Sequence, residues 1–544
     1  MDNSSPVLSI KGLSLRVKSL GLEVVKSVSF DIAPGETVAL LGESGAGKSS
    51  LFRSVLQLLP ASEWEQQGSI EVGGTEIRGK GPKELEAVRG PKIRCIFQEP
   101  ALSLNPSLKV ERQLKEAILV VCPDLSPQEV QLQMEQAVID SGLEPGVIKG
   151  KYPGDLSGGQ RQRVGIAMSL CAPAPLLLAD EPSNSLDSVT ITELVKTLLK
   201  LKKSGQIGSL LIVTHDFGVL KALGCERVLF MDQGELTEVG SIHDVVATPR
   251  HPKLAKMVDL MNQMDAMENQ IQQLSPQESA QPLVEAKDVH FGYLTRSFFH
   301  AERLPTLQGV SFQIKPNQFV GVVGNSGSGK STLCKLITRE LDHHQGELCF
   351  GGKEISAWGA SKNKQQFHRE LQVIFQEPAD TFDPSLTMGE NLDECFTAMG
   401  LSRDEVGAAF DELLDLLLLE KRMLNELPSR LSGGQKQRFA LMRAFASKPR
   451  LLLADEPFNN LDLIAQQRLI ELLLARKQDT EEPLGCILVS HDMGVVAKLC
   501  DQVFVFDQGE IVEQGPTKQI IHQPQHQATK RLIQAAVTLG SIQL

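Results

Sequence analysis

The sequence has few of the features that mark disulfide-stapled, zinc-binding or nucleic-acid-binding proteins. Its nine cysteines are scattered along 544 residues without a CxxC pair, whereas disulfide scaffolds and zinc modules need tight, repeated spacing. We therefore expect reduced cysteines in a cytosolic protein. Lys and Arg number 55 against 67 Asp and Glu, and this balance argues against an extended nucleic-acid footprint, which needs clustered basic side chains.

Long apolar runs are missing as well. No uninterrupted apolar stretch approaches the roughly 18 residues of a membrane-spanning helix, and the leucine-rich run at 413–419 is broken by Asp415. Residues 1–10 lack the basic flank and apolar segment of a secretory signal peptide, so we expect none. We expect any role at a membrane to depend on partner subunits.

An internal repeat is the most informative pattern. A G-x4-G-K-S segment, Phe-Gln-Glu-Pro, Leu-Ser-Gly-Gly-Gln, Leu-Leu-Leu-Ala-Asp-Glu-Pro and a His-Asp pair occur twice, in the same order and at nearly constant offset. The sequence therefore predicts two copies of one domain, at residues 1–260 and 283–544. The polar stretch at 261–282 is rich in Gln, Ser and Glu and predicts a linker, with a short helix over 261–274.

Short β-rich apolar runs alternate with helical patterns in each copy, which indicates an α/β fold with a parallel sheet covered on both faces. Residues 107–151 and 386–425 have helical periodicity and predict a helical subdomain inserted into each α/β core. The predicted strands are residues 37–41, 176–179, 210–213 and 228–231 in the first copy, and 319–323, 451–454, 487–489 and 503–506 in the second.

The glycine-rich segments predict phosphate-binding loops. Glycine lets successive backbone N–H groups converge on an anion, and the helix that follows adds partial positive charge. Lys48 and Lys330 would reach the outer phosphates, and Ser49 and Ser331 would offer hydroxyls to magnesium. The loop residues are Gly42, Glu43, Ser44, Gly45, Ala46, Gly47, Lys48, Ser49 and Ser50, and Gly324, Asn325, Ser326, Gly327, Ser328, Gly329, Lys330, Ser331 and Thr332.

Adjacent carboxylates close one predicted strand in each copy. Asp180 and Asp455 could hold magnesium through its water shell, whereas Glu181 and Glu456 would point at the water that attacks the γ-phosphate. Phosphoryl transfer needs positioning and charge neutralisation more than covalent help, and an Asp-Glu pair suits that need.

The order of loop, Gln, Leu-Ser-Gly-Gly-Gln, Asp-Glu and His resembles the ATP-binding cassette (ABC) family over nearly the whole chain. The resemblance implies tandem P-loop nucleotide-binding domains with RecA-like cores, which bind ATP and Mg²⁺ and pair head to tail. It implies catalytic roles for His215 and His491 and metal contacts for Gln98 and Gln376. It also implies interface roles for Asp187 and Asp462. The Leu-Ser-Gly-Gly-Gln residues of each copy would contact the γ-phosphate held by the other copy; these residues are Ser157, Gly158, Gly159, Gln160, Ser432, Gly433, Gly434 and Gln435.

This sequence departs from the family pattern in three places. Ser183-Asn184-Ser185 and Phe458-Asn459-Asn460 replace the common Thr-Ser-Ala, and Ser50 replaces a threonine. No central catalytic residue type is missing, so we expect two competent sites. Many cassettes stack adenine on an aromatic residue before the phosphate loop; Phe291 and Tyr293 offer one in the second copy, whereas Val17 occupies the corresponding region of the first.

Glu-Pro-Ala-Leu-Ser-Leu-Asn-Pro at 99–106 and Pro-Arg-His-Pro at 249–252 resemble the oligopeptide, dipeptide and nickel importer branch. That likeness implies two permease subunits and a substrate-binding protein as partners, and a place at the cytoplasmic face of the inner membrane. Many relatives there carry an iron–sulfur cluster; with no Cys between Cys225 and Cys334 or after Cys500, we predict none.

Two other functions stay open. A soluble cassette protein acting on ribosomes or DNA usually has a long, charged linker or zinc-binding cysteines, and neither is seen here. A regulatory module that binds ATP without turnover conflicts with Glu181 and Glu456.

Overall fold

The chain forms two compact units in a computed structural model, Met1–Leu186 with Thr190–Asp259 and Asp187–Val189 with Leu260–Leu544. The structure describes residues 5–43, 45–97, 103–183, 186–214, 216–267, 281–296, 301–343, 345–359, 361–375, 381–458, 461, 463–479 and 481–542.

The first unit contains a four-stranded antiparallel sheet and a six-stranded sheet in the described residues. The strands are β1 Leu8–Val17, β2 Leu22–Ile32, β3 Thr37–Leu41, β4 Trp64–Val72, β5 Thr75–Glu76, β6 Ile93–Ile96, β7 Ala174–Asp180, β8 Ile207–Val213, β9 Arg227–Asp232 and β10 Glu235–Ser241. Their orders are β2-β1-β4-β5 and β10-β9-β3-β8-β7-β6. The second sheet is parallel apart from the β9–β10 hairpin.

Helices connect and flank these strands. They are α1 Lys48–Val55, α2 Pro82–Glu86, α3 Val110–Leu119, α4 Pro127–Asp140, α5 Pro145–Ile148, α6 Gly158–Leu170, α7 Ser188–Lys203, α8 Phe217–Ala222, α9 Ile242–Ala247 and α10 Pro252–Met267. Side chains of α3, α4 and α6 form an apolar cluster of their own, separate from the cluster of the two sheets. The segment between β6 and β7 is therefore a helical subdomain, as the periodicity of residues 107–151 predicts.

The second unit repeats this arrangement. Its strands are β11 Val284–Arg296, β12 Ala301–Ile314, β13 Phe319–Gly324, β14 Gln345–Phe350, β15 Lys353–Glu354, β16 Leu371–Ile374, β17 Leu451–Asp455, β18 Gly485–Val489, β19 Gln502–Asp507 and β20 Glu510–Pro516. Within the described ranges they form sheets in the orders β12-β11-β14-β15 and β16-β17-β18-β13-β19-β20.

The helices of the second unit follow the same plan. They are α11 Lys330–Ile337, α12 Ser361–Glu370, α13 Met388–Ala398, α14 Arg403–Leu416, α15 Gly433–Ala446, α16 Leu463–Gln478, α17 Met493–Leu499, α18 Thr517–His522 and α19 Gln527–Thr538. Helices α13 and α14 and a 3₁₀ turn at Lys421–Asn425 supply the helical subdomain expected over 386–425.

The fold class predicted from the sequence is confirmed. Every residue of β3 is buried, and β3 pairs in parallel with β8 and β9. A central parallel strand covered on both faces needs a nearly continuous apolar sequence, and residues 37–41 have one. Helix α10 overlaps the start of the helix predicted over 261–274, and residues 268–280 lie outside the described part. No helix in the described part of the chain has the length and apolar character that crossing a membrane requires.

Candidate functional site

The phosphate loop of the first unit leaves β3 and enters α1 through two glycines that no other residue can replace without strain. Gly42 has φ 154° and Gly47 has φ 100°. A Cβ at Gly42 would lie 2.3 Å from the Met231 carbonyl oxygen, and one at Gly47 would lie 2.7 Å from that of Val24. The loop therefore follows a path against β9 and β2 that only glycine permits.

The second loop has the same form. Gly324 has φ 151° and Gly329 has φ 106°, and a Cβ at Gly324 would lie 2.2 Å from the Phe506 carbonyl oxygen. Two independent sequences thus reach one loop conformation, which leads directly into the N-terminus of an eight-residue helix in each unit. Backbone N–H groups and a helix start together form a site for an anion.

The loop lysines are held by backbone oxygens, Lys48 in a buried position and Lys330 in a half-buried one. The Lys48 Nζ donates to the carbonyls of Gly42 at 2.7 Å and Glu43 at 2.8 Å, and the Lys330 Nζ donates to those of Gly324 at 2.7 Å and Asn325 at 2.9 Å. Burial lowers the pKa of both lysines, although nearby carboxylates oppose the shift. Each lysine therefore keeps its ammonium group inside its loop, where a phosphate would meet it.

Asp180 ends β7 beside the loop, and its carboxylate bonds to the Ser49 side chain. Its Oδ1 atom is buried without a hydrogen-bond partner. Burial, followed by the charge of Glu181, raises the pKa of Asp180 to about 6. A carboxylate oxygen left unsatisfied beside a hydroxyl fits the oxygen ligands that Mg²⁺ prefers.

Asp455 has similar neighbours at the end of β17, where it is half-buried. Its side chain bonds to Ser331, and burial, followed by Glu456, raises its pKa to about 6. A divalent cation would remove the cost of keeping either carboxylate charged in this setting. Both units therefore present residues that fit Mg²⁺.

The two glutamates predicted as bases share an unusual backbone conformation. Glu181 has φ 46° and Glu456 has φ 52°, a left-handed conformation that is uncommon and costly for residues other than glycine. Their N–H groups donate to the Val213 carbonyl at 2.8 Å and the Val489 carbonyl at 3.0 Å. The turn directs each glutamate away from the path of its strand.

His491 contacts Glu456 directly in the second unit. Its Nδ1 lies 2.9 Å from the Glu456 Oε2. Burial by itself lowers the pKa of His491, but the Glu456 charge and hydrogen bond outweigh burial and leave this pKa above its usual value. The His491 imidazole is therefore placed to exchange a proton with Glu456, the candidate base.

The Leu-Ser-Gly-Gly-Gln segments begin α6 and α15. Ser157 and Ser432 are the N-caps, and each accepts a bond from the N–H of the glutamine three residues later at 3.3 Å. The Gln160 and Gln435 Oε1 atoms accept the serine N–H groups at 3.1 Å and 2.9 Å. The glutamines thus complete reciprocal capping boxes, which hold the serine and the two glycines at a positive helix end.

The two aromatic candidates near the second loop differ in exposure. Phe291 is 6% exposed and belongs to the apolar core, whereas Tyr293 is 41% exposed. The Tyr293 Oη lies 3.4 Å from the Thr332 Oγ1, at the start of α11. Of the two rings, Tyr293 is therefore the one open to a ligand beside the loop, and Phe291 packs against it in an edge-to-face contact with ring centroids 5.0 Å apart.

Several predicted site residues lie outside the described residues. They are Ser44, Gln98, Asn184, Ser185, His215, Gln376, Asn459, Asn460 and Asp462.

The β9–β10 and β19–β20 turns contact the phosphate loops, although none of the motifs described above indicates this contact. The Gly234 N–H donates to the Ala46 carbonyl at 3.2 Å, and the Gly509 N–H donates to the Ser328 carbonyl at 3.0 Å. Each turn joins the strand beside the central strand to the edge strand, and it contacts the phosphate loop through this backbone hydrogen bond. An Asp-Gln-Gly triplet repeated at 232–234 and 507–509 was the available signal.

The chain is similar in sequence to known proteins over nearly its whole length. The ABC transporter family profile matches residues 25–184 and 307–459. The chain is 34% identical over 554 residues to the peptidoglycan transport ATP-binding protein YejF of Agrobacterium fabrum, covering 99% of this chain and 98% of that protein. It is 33% identical over 574 residues to the glutathione import ATP-binding protein GsiA of Salmonella paratyphi A, covering 98% and 90%.

One solved structure, an ATP-binding subunit of an ABC transporter, is 26% identical to this chain. It aligns with 47% of this chain and 99% of that one, with a TM-score of 0.40.

Two glycine-rich phosphate loops and two Asp-Glu pairs define the chain as a tandem ATPase. The chain belongs to the ABC transporter family.

Proposed function

We propose that this chain is the ATP-hydrolysing motor of an importer for peptides, nickel or metallophore complexes, or related small solutes. It acts at the cytoplasmic face of the inner membrane with two permease subunits and a substrate-binding protein. The observation that carries the proposal is the doubled site, in which a loop lysine, an Asp at a strand end and a Glu in a left-handed turn recur in both units. Two relatives named for peptidoglycan transport and glutathione import support a peptide-like cargo.

Each residue has a role in this mechanism. Lys48 and Lys330 neutralise the outer phosphates, and the loop N–H groups orient them. Asp180 with Ser49, and Asp455 with Ser331, would hold Mg²⁺, which supplies charge neutralisation at the β- and γ-phosphates. Glu181 and Glu456 accept a proton from the attacking water.

The capped starts of α6 and α15 complete the proposal. We place Ser157 and Gly159 against the ATP held by Lys330, and Ser432 and Gly434 against the ATP held by Lys48. Their hydroxyls and amides at a positive helix end suit a γ-phosphate. Binding of ATP then closes the two units, and hydrolysis releases them, which moves the permease.

Reconstitution tests this function. The tagged chain should co-purify with two membrane permeases, and in proteoliposomes a loaded substrate-binding protein should stimulate its ATPase. Crosslinks to permease should fall within residues 98–120 and 376–400. Stable association with ribosomes or DNA in place of permeases, or crosslinks confined to the linker or the C-terminal tail, would overturn the proposal.

The proposed magnesium sites should depend on pH. Because the pKa of Asp180 and of Asp455 is raised to about 6, each carboxyl is mostly ionised at pH 7.5 and mostly protonated at pH 5.5. Affinity for a divalent cation should therefore fall about fourfold between these pH values. Mn²⁺ binding measured with a non-hydrolysable ATP analogue checks this.

The variant Asp180→Asn with Asp455→Asn is the control. Protonation of the nucleotide affects it and the wild type alike, so the difference between them isolates the two aspartates. Equal losses in both proteins would contradict the prediction.

The two nucleotide sites should also differ in affinity. Tyr293 stands beside the second loop, whereas Val17 occupies the corresponding end of β1. A ring over adenine is worth about 0.5–1.5 kcal/mol, or roughly a twofold to tenfold difference in affinity. Lys48→Ala, which spares the second site, should therefore leave tighter residual ATP binding than Lys330→Ala in equilibrium titrations.

Tyr293→Ala in the Lys48→Ala background should remove the difference. Leu294→Ala, at the next, exposed position of β11, should not. Tighter or equal binding at the first site would refute the role of Tyr293.

A further inference from the structure

An ion cluster joins α10 to the first phosphate loop. The Lys253 Nζ lies 2.7 Å from the Asp232 Oδ1 and 3.1 Å from the Glu43 Oε2. Hydrogen bonds to these two carboxylates raise the pKa of Lys253 above its usual value. The lysine therefore stays charged, and it belongs to α10, the second helix after the first unit's last strand.

The segment before Lys253 is fixed on the sheet. The Glu238 side chain of β10 accepts the backbone N–H groups of Arg250 at 3.0 Å and His251 at 2.8 Å. The His251 ring packs on Phe230, with ring centroids 5.2 Å apart. Lys253 thus projects from an anchored backbone rather than from a loose tail.

Glu43 connects this cluster to the loop itself. Its backbone carbonyl accepts bonds from the Lys48 Nζ at 2.8 Å and from the Ala46 N–H at 3.2 Å. Its side-chain charge acts on Lys48 as well, since it raises the pKa of that lysine against the effect of burial. Glu43 therefore adds to the negative charge around the phosphate-binding lysine, after the larger effects of Glu181 and Asp180.

The second unit keeps the anchor, and Asp507 stands where the first unit has Asp232, but the lysine and the acidic loop residue are both absent. Glu513 of β20 accepts the N–H groups of Gln525 at 2.9 Å and His526 at 2.8 Å, as Glu238 does for Arg250 and His251. Two residues beyond that histidine the sequence has Ala528 where the first unit has Lys253, and Asn325 stands in the loop where the first unit has Glu43. An acidic loop residue and a lysine that meets it thus occur together in one unit and are both replaced by neutral residues in the other.

We propose that Lys253 is a positioning residue of the first nucleotide site. It holds the Glu43 carboxylate away from the phosphates and neutralises it, so that a loop with an acidic residue can accept a triphosphate. The inference rests on the proposed placement of ATP at residues 42–50.

Removing the lysine leaves Glu43 and Asp232 uncompensated beside a polyanion. A partly exposed pair of this kind contributes modestly, so Lys253→Met should weaken ATP binding at the first site about threefold to fivefold. Added salt should shrink the difference, because it screens exposed charges. Lys253→Arg, which keeps the charge, should restore binding.

The test uses the full chain with Lys330→Ala, so that titration with Mg-ATP reports the first site. Adding Glu43→Gln to Lys253→Met should bring the dissociation constant back to within about twofold of the parent, because the repelling charge is gone. Lys256→Met removes an exposed positive charge one turn further along α10 and should leave binding unchanged.

The outcomes separate the inference from the function beneath it. Weakened binding by Lys253→Met that Glu43→Gln does not rescue, or no weakening at all, overturns the role of Lys253. Loss of binding in Lys48→Ala confirms that the titration reads the proposed site. Unchanged binding in Lys48→Ala overturns the placement of ATP and, with it, the inference.

Discussion

Replacing Glu181 and Glu456 together by glutamine is expected to lower steady-state ATP hydrolysis by about 100-fold or more, while ATP still binds. Glutamine keeps the size of glutamate, but it replaces one accepting oxygen with a donating NH2 group and cannot accept a proton from water. The phosphate loops and Asp180 and Asp455 are untouched, so nucleotide affinity persists. With hydrolysis blocked, the two units should stay closed on ATP.

The left-handed turns at Glu181 and Glu456 give this prediction its structural basis. A φ near 50° costs about 1–3 kcal/mol for a residue other than glycine, and both units keep it at the same position. The contact of Glu456 with His491 at 2.9 Å further constrains the second carboxylate. The shared conformation makes the two glutamates equivalent in direction, so the double substitution tests one common role.

A phosphate-release assay and ATP binding by equilibrium dialysis check the result. Glu116→Gln with Glu471→Gln is the matched control, because both are exposed glutamates in surface ion pairs; its rate should equal the wild-type rate. A near wild-type rate in Glu181→Gln with Glu456→Gln would show that another group is the base.

Much of the fold could be predicted because the repeat and the central strands are local patterns. Residues 37–41 are Thr37 followed by four apolar residues, and the structure buries all five as β3. The phosphate loops could be predicted for a similar reason, since the spacing of Gly42, Gly47 and Lys48 records the backbone path that the loop requires.

Other features depend on contacts between distant parts of the chain. Phe291 and Tyr293 are two residues apart on β11, so the alternation of a strand alone puts them on one face. The structure buries Phe291 and exposes Tyr293, because the apolar core ends between them. No local sequence pattern locates that boundary. Lys253 reaches Glu43 across 210 positions of sequence only because β10 anchors the intervening backbone, through Glu238. The φ values of Glu181 and Glu456 leave no trace in residue type.

Gly42→Ala is expected to cost the first site most of its ATP binding. The added Cβ would lie 2.3 Å from the Met231 carbonyl oxygen and 3.3 Å from the Ala46 Cβ, and the first distance is far inside van der Waals contact. Either β9 or the loop must shift. Because Lys48 bonds to the Gly42 carbonyl at 2.7 Å, a shifted loop also moves the ammonium group that meets the phosphates.

Strain of this kind is worth about 1–3 kcal/mol, which corresponds to roughly a fivefold to 150-fold loss of affinity. Titration of Mg-ATP in the Lys330→Ala background measures it at the first site. Gly45→Ala is the informative control, because Gly45 has φ 84° but its Cβ would meet nothing within 4 Å. It carries backbone strain without a clash and should lose less.

If the two alanine variants bind ATP equally well, the close approach of β9 does not shape the loop. If Gly42→Ala alone loses binding while its thermal unfolding stays close to that of Gly45→Ala, the defect is local to the phosphate site. We expect the local defect, because the Met231 carbonyl oxygen lies against the loop at the end of β9, where the anion site begins. Gly324→Ala, whose Cβ would lie 2.2 Å from the Phe506 carbonyl oxygen, should reproduce the loss at the second site when Lys48 is replaced by alanine.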